Sequence, residues 1–527
     1  MDFAVAERIR RPDQPDYGEQ GMSDAVWEQL KSLDKPTLAE LFDRDSARLD
    51  TFATRFELGS DENASGIRFD WSKTHLDAAH VELFEALAKA TDFAGRRAAL
   101  FAGEIVNVTE GRAAEHTAQR GVGKEESVAL AAENHHRMAA IVEAIHRGAM
   151  GDVKHLIHVG IGGSALGPAL AIDALARDGA MVDVHVVSNI DGNALEAAFA
   201  KCDPATTMLA IASKTFTTIE TMTNAESVIG WLRENAVADP YGRVVALTAA
   251  PAKAIEWGVD ETRILPFSES VGGRYSLWSS IGFPVAMALG WPDFAEFLDG
   301  AAAMDEHFRD TDGLANLPLR AAFADQYYTR LRGCQTRGVF AYDERLALLP
   351  DYLQQLEMES NGKSVKVDGS PVDGPTAPIT WGGVGTDAQH AVFQLLHQGT
   401  NLVPVDFIAA IVPGHDLAAA HHRILLSNCF AQGAALMAGK KSEDPARSYP
   451  GDRPSATILL DEVSPASFGA LVAFHEHRTF ANAVLMEINP FDQFGVELGK
   501  EIAKQIEQGG TRFDPSTEAL LELAGIG

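Results

Sequence analysis

From Asp152 onward the chain alternates short β-rich apolar runs with helical patterns, and this alternation constrains the fold more than any other feature. Residues 153–160 (VKHLIHVG), 181–189 (MVDVHVVSN), 207–213 (TMLAIAS) and 243–249 (RVVALTA) have the length and composition of buried strands. Between them lie helical patterns at 168–177, 194–201 and 218–236, with another at 251–258. After Arg274 a helical stretch runs to about residue 332, and a second set of strand-like runs follows: GVFAY, LVPVDFIAAIV and SATILLDEV. Strands separated by helices predict a parallel sheet covered on both faces, so the expectation is two α/β units in tandem. In such sheets ligands sit beyond the carboxyl ends of the strands, and chemistry is to be sought in the loops that follow them.

The remaining segments read differently. Residues 24–33, 74–90 and 127–148 carry apolar residues at helical spacing, so the first ~115 residues are expected to form a helical cap packed on the core. The polar, Gly-containing stretch 52–72 between them reads as a short hairpin. Residues 511–527 read as a docked helix.

Composition narrows the function classes. Asp plus Glu is 74 and Lys plus Arg is 44, a formal charge of −30 that disfavours nucleic acid and anionic membranes as partners. No apolar run approaches the roughly 18 residues of a membrane span, and the N-terminus has no signal-peptide core. Three scattered cysteines suit neither a disulfide framework nor a CxxC metal site. The expectation is an acidic protein of the cytoplasm.

Six segments carry possible chemistry. Gly160-Ile-Gly-Gly-Ser164-Ala165 follows a strand and precedes a helix. Its glycines let backbone approach a ligand, and the helix N-terminus favours an anion. The same residues match the dinucleotide fingerprint G-x-G-x-x-G/A, with Asp183 and Asp191 near the place of the ribose-binding acid; a ligand-free tight turn is the third reading. Ser213-Lys214-Thr215-Phe216-Thr217-Thr218 puts four hydroxyls and a cation before a helix, more than capping requires and well matched to a monophosphate. Val271-Gly-Gly-Arg274 lets a guanidinium approach a ligand and suits a developing oxyanion; a surface ion pair is the alternative. Gln355-Leu-Glu357-Met-Glu359-Ser-Asn-Gly offers a possible general base, with its two acids on one face if the chain is extended; a solvated acid before a turn is the plainer reading. Gly382-Gly-Val-Gly-Thr-Asp387 opens a helix that would carry His390 and His397 on one face, yet the spacing of a metal-binding HExxH is missing. Phe491-Asp492-Gln493-Phe494-Gly-Val-Glu497-Leu-Gly-Lys500 reads as leading into a helix with a Glu–Lys pair.

In this order the blocks GIGGSALGP, SKTFTT, VGGRYSLWS, QQLEMESNGK, QHAVFQLLHQGT and FGVELGK resemble the phosphoglucose isomerase family over most of residues 150–507. The resemblance implies two tandem SIS domains of flavodoxin-like, three-layer αβα type with parallel sheets, within boundaries of 1–115 (helical region), 116–287 and 288–510 (SIS domains) and 511–527 (C-terminal helix). It implies a sugar-phosphate substrate, interconversion of glucose 6-phosphate and fructose 6-phosphate in glycolysis and gluconeogenesis, and a homodimer with a shared site. Gly163, Ser164 and Gln355 would contact the sugar. Ser213, Lys214, Thr215, Thr217 and Thr218 would hold the phosphate. Glu359 would move the proton between C1 and C2, and Arg274 would stabilise the cis-enediolate. His390, from the partner subunit, and Lys500 would assist ring opening. No metal or nicotinamide is implied. Ala165 stands where many members have Asp, and Leu356-Glu357 where many have Gly-Asp, so a changed KM or pH response is expected. Two other readings compete: a nicotinamide-dependent dehydrogenase using Gly160–Ala165, and a non-catalytic sugar-phosphate sensor.

Overall fold

The computed structural model describes residues 20–59 and 65–526. Residues 1–19 of the predicted cap, 60–64 of the predicted hairpin and the terminal Gly527 lie outside the described residues. The described residues contain eleven strands: β1 (Ala53–Glu57), β2 (Gly66–Asp70), β3 (His155–Val159), β4 (Asp183–Val187), β5 (Thr207–Ala212), β6 (Val244–Thr248), β7 (Ile264–Pro266), β8 (Thr336–Tyr342), β9 (Ile379–Val384), β10 (Val405–Ala410) and β11 (Ser455–Leu460).

Strands β3 to β7 form one sheet in the order β4-β3-β5-β6-β7, parallel throughout. This is the 2-1-3-4-5 order of the flavodoxin-like doubly wound fold, whose ligand crevice opens where the winding reverses, between β3 and β5. Its central strands β5 and β6 are buried on both faces because both faces are covered, whereas the edge strand β4 carries Asp183 and His185 and is only partly buried. Leu156, Met208 and Ala210 join the large core, whereas Ile157, Leu209 and Ile211 pack in a second core beside the helices Gly192–Phe199 and Ile219–Glu234. The strict alternation follows from the two-residue period of a strand.

The other sheet runs β1-β2-β11-β10-β8-β9. Its four later strands are parallel, in the same 2-1-3-4 sense. The predicted hairpin does not stay with the helical cap. It pairs antiparallel along the edge of β11, so the second sheet is completed by the first strands of the chain. β9 escaped the sequence reading because ITWGGV is glycine-rich. The reason is steric: a Cβ on Gly382 would overlap the Val339 backbone of neighbouring β8.

One continuous apolar core joins the sheets, running from Leu156 through Trp278 and Phe297 to Ile408 and Phe474. At its centre the helices Trp291–Asp310 and Pro465–Leu485 cross, and the latter is buried at every position from Ser467 to Leu485. Gly300 and Gly469 make the crossing possible, since a Cβ on either would overlap backbone of the opposite helix at Ala466 or Phe297. The C-terminal helices Glu497–Gln508 and Pro515–Ala524 have no buried residue, so the tail expected to dock leaves Leu520 and Leu523 exposed on this single chain.

The helix crossing sets a stability prediction. Gly469→Ala should cost about 3 kcal/mol or more, the scale of overpacking a core where backbone must move. Gly230→Ala, on a helix with nothing within 4 Å of the added methyl, should instead stabilise by up to about 1 kcal/mol. Thermal unfolding midpoints of the two variants should therefore move in opposite directions.

Candidate active site

The loops after β3 and β5 flank the point where the first sheet reverses its winding. After β3, Gly162 takes a positive φ of 59°, and Gly163 has no room for a Cβ because it abuts the Gly273 carbonyl. The Gly160–Ser164 loop therefore lies directly on the segment that carries Arg274. His158, buried on β3, donates from Nε2 to the Ser164 carbonyl at 2.7 Å. Burial pushes this imidazole down to about 4, so it stays neutral and holds the loop as a plain hydrogen-bond donor. As for a ribose-binding acid, Asp183 lies at the N-terminal end of β4, the wrong end of the sheet, and Asp191 caps the helix Gly192–Phe199. The structure thus offers the dehydrogenase reading neither acid.

After β5 the hydroxyl-rich loop folds on itself. Ser213 and Thr218 hydroxyls lie 3.1 Å apart, and those of Thr215 and Thr217 2.8 Å apart. Phe216 at the loop's centre is buried in the left-handed region at φ 52°, an uncommon conformation for a bulky residue. Thr218 is the N-cap of the helix Ile219–Glu234 but makes no side-chain capping bond. The helix's first N–H groups and the clustered hydroxyls are thus left to face an anion. Lys214 turns elsewhere: its Nζ donates to the Glu269 carbonyl at 2.6 Å and to Val271 at 3.4 Å. It straps the hydroxyl loop to the segment leading into Arg274.

Arg274 is the junction of the two domains. Its Nε donates to Ser360 Oγ at 2.7 Å, Nη2 to the carbonyls of Pro490 and, at 3.1 Å, Asp492, and Nη1 to Gln493 Oε1 at 3.4 Å. Nη1 also lies 3.6 Å from Glu359 Oε1. Glu359 ends a π-helical turn, Gln355–Glu359, that continues the helix Leu349–Gln354; such turns recur at functional sites. Gln355 Nε2 donates to Glu359 Oε2 at 2.9 Å and lies 3.1 Å from where a Cβ on Gly162 would be. Gln355 therefore bridges the β3 loop and the Glu359 carboxylate.

The π-turn also separates the two acids. Glu357 does not share a face with Glu359, because the segment is helical and not extended. Glu357 is buried and accepts from Asn361 Nδ2 at 3.0 Å and Thr479 Oγ1 at 3.1 Å. It braces the core, while Glu359 faces the cleft.

His390 and Lys500 are not brought to this cluster. The expected single helix is broken at Val392 into Asp387–Ala391 and Phe393–Gln398, so His390 and His397 do not share one helix face. His397 bonds Gln432, and His390 is exposed. Lys500 lies exposed on the helix Glu497–Gln508. Among the described residues, no hydrogen bond or ion pair reaches either side chain. A cavity of about 760 Å³ opens beside Gln355 and Glu359, walled by Lys363, Asn489, Gln493 and Phe494. Sequence reasoning passed over Lys363, Asp492 and Gln493, although all three lie in or beside the motifs it used.

The chain's likeness to known proteins agrees with this geometry. The family model described as phosphoglucose isomerase matches residues 70–521. A glucose-6-phosphate isomerase of Novosphingobium aromaticivorans is 72% identical over 505 residues, covering 96% of this chain and 99% of the relative. One of Erythrobacter litoralis is 70% identical, covering 96% and 100%. The crystal structure of a glucose-6-phosphate isomerase from Chlamydia trachomatis superposes with a TM-score of 0.85 at 30% identity, covering 95% of this chain and 98% of that one.

Lys363 ties the carboxylate's backbone in place. Its Nζ donates to the carbonyls of Glu359 at 2.7 Å, Ser360 at 2.8 Å and Asp492 at 3.1 Å. Burial, with the nearby Arg274 charge, lowers its pKa from 10.5 to about 8. A lysine whose folded pKa is depressed binds fewer protons folded than unfolded across that window, so its contribution to stability rises as pH increases from about 8 to 10.5. Denaturant unfolding at stepped pH should show this rise in the native chain and its loss in Lys363→Met.

Proposed function

The chain belongs to the phosphoglucose isomerase family, and from that premise we propose that it interconverts glucose 6-phosphate and fructose 6-phosphate. The single observation that carries the mechanism is the Glu359 carboxylate beside a buried guanidinium, Arg274 Nη1 at 3.6 Å, next to the reversal point of the first sheet.

The hydroxyls of Ser213, Thr215, Thr217 and Thr218, with the first N–H groups of the following helix, take the phosphate; Lys214 anchors the loop. Gln355, Gly163 and Ser164 line the sugar. Once the ring is open, Glu359 removes the proton from the carbon beside the carbonyl. The C–H electron pair forms the C1–C2 double bond, and the carbonyl pair moves to oxygen. Arg274 faces that oxyanion. The oxyanion takes up the proton of the neighbouring hydroxyl, which moves the negative charge to the second oxygen. That oxygen's electron pair then re-forms a carbonyl at its own carbon, while the C1–C2 double-bond pair takes the proton back from Glu359 at the other carbon. The exchange is internal, so it needs no external oxidant or reductant. A sensor would have no use for this pairing of base and guanidinium.

Ring opening needs a proton at the ring oxygen, the part assigned to His390 and Lys500. Because neither lies in the cluster formed by one chain, we place His390 in the site of a second copy. Support comes from the apolar side chains left exposed around these residues: Leu395 near His390, and Phe494, Val496 and Leu498 near Lys500. The catalytic unit is then a homodimer. No described helix is long and apolar enough to cross a membrane. The three cysteines are unpaired, in keeping with a cytoplasmic setting.

Three measurements test this. Isomerisation of fructose 6-phosphate, followed in a coupled assay, should proceed undiminished with EDTA present. Glu359→Gln should keep substrate binding but lose turnover by about 10³-fold, within the range set by general-base catalysis; near-normal turnover would refute the assignment. Mixing inactive Glu359→Gln and His390→Gln chains under subunit exchange should restore about a quarter of native activity, because half the dimers then carry one intact site. No recovery would mean that each chain completes its own site.

A further inference from the structure

The first sheet has a second end. Opposite the catalytic loops, at the start of β3 and along β4, His155 and His185 meet Cys202, which lies in the turn after the helix Gly192–Phe199. One ligand atom from each of these three residues lies within 4.8 Å of the other two. They form the one such group found among the described residues. β3 sets His155 five residues before Gly160, about 16 Å at 3.3 Å per residue, so this cluster is separate from the active site.

Two observations point to a ligand. First, His155 Nδ1 and His185 Nε2 are shielded from solvent and have no hydrogen-bond partner. Buried ring nitrogens without partners are costly and unusual, and metal coordination is one chemistry that would satisfy them. The Asp183 carboxylate oxygen Oδ2 stands 3.9 Å from His155 Nδ1, too far for a hydrogen bond. Second, the donor set is selective. Two imidazoles and a thiol match the soft-to-borderline ligands of zinc and copper(I), and they do not suit calcium or magnesium. Zinc binds N and S at about 2.0–2.3 Å, which places ligand atoms about 3.5 Å apart in a tetrahedron. Side-chain rotation of about an ångström closes the present cluster to that size.

We propose that His155, His185 and Cys202 form a transition-metal site, with zinc the best match and a water or the exposed Asp183 carboxylate as fourth ligand. The ion would clamp the edge strand β4 to β3 and to the turn that leads into β5. Binding requires the Cys202 thiol to lose its proton to solvent as the metal–sulfur bond forms. The role is structural, because the strands carry its effect along the sheet without adding a group to the catalytic cluster.

The test uses the full-length protein stripped with a chelator and titrated with zinc against a chromogenic competitor. Cobalt(II) replaces zinc in a parallel titration, where a thiolate-to-metal charge-transfer band reports sulfur coordination. The expected result is one tightly held zinc per chain, a raised thermal midpoint with zinc, and the charge-transfer band. Cys202→Ser should abolish the band and weaken zinc binding at least tenfold, and His185→Gln should weaken it similarly, with isomerase activity of both unchanged. No zinc uptake by the native chain would overturn the proposal. So would uptake that both variants retain, since the metal would then sit elsewhere, for instance at the neighbouring rings of His415, His421 and His422.

Discussion

A buried guanidinium must find an acceptor for each of its N–H groups, because none can be satisfied by water. Arg274 finds acceptors in two separated stretches of chain: Ser360 at the end of the π-turn, and the carbonyls of Pro490 and Asp492 with the Gln493 side-chain oxygen; Glu359 adds an ion pair at 3.6 Å. Its own loop is pinned from behind by the glycine contact with Gly163 and from the side by Lys214. The arrangement around Glu359 is therefore the solution to one desolvation problem. To bury Arg274, the first domain's loops, the second domain's π-turn and the approach to the C-terminal helices must all converge. A base opposite that charge arrives with the fold.

The acidic composition takes a different meaning in this light. A formal charge of −30 coexists with a site that must receive a phosphate dianion. The cleft manages this with few cations. Arg274 is buried and Lys363 half-buried, both held by carbonyl oxygens, and Lys214 is held by two more. The loop after β5 presents neutral hydroxyls and a helix N-terminus. A locally favourable potential is thus built from oriented dipoles and a small number of shielded charges.

Much of this was legible in the residues. The alternation after Asp152 predicted β3 to β6, β8, β10 and β11, because strands covered on two faces are apolar for most of their length; the three-residue β7 was missed. Residue chemistry alone favours the hydroxyl loop; Arg274, Gln355 and Glu359 stand out through the order of the motif blocks, which resembles a known family, and the structure brings those three together. What was hidden depended on long-range contact. β9 reads as a loop, since its glycines answer to the Val339 backbone on another strand. Glu357 and Glu359 look equivalent in sequence, and only the π-turn sends one into the core and the other into the cleft. Lys363 could not be ranked above any other lysine until its three carbonyl partners were in view. The exposed positions of His390 and Lys500 follow from packing that a linear pattern does not contain.

The hairpin formed by β1 and β2 ties the beginning of the chain to its last strand, with Ile67 opposite Leu460. A ribosome releases these partners at widely separated times. While the intervening residues are being made, β2 has an open edge and no neighbour to cover it. The first sheet, built from one contiguous stretch, can close well before synthesis ends; the second cannot. The nascent chain therefore carries an unpaired strand edge through most of its translation, the condition under which association between neighbouring chains competes best with folding. The order in which the strands are encoded thus decides when the protein is most vulnerable, independently of how stable it becomes.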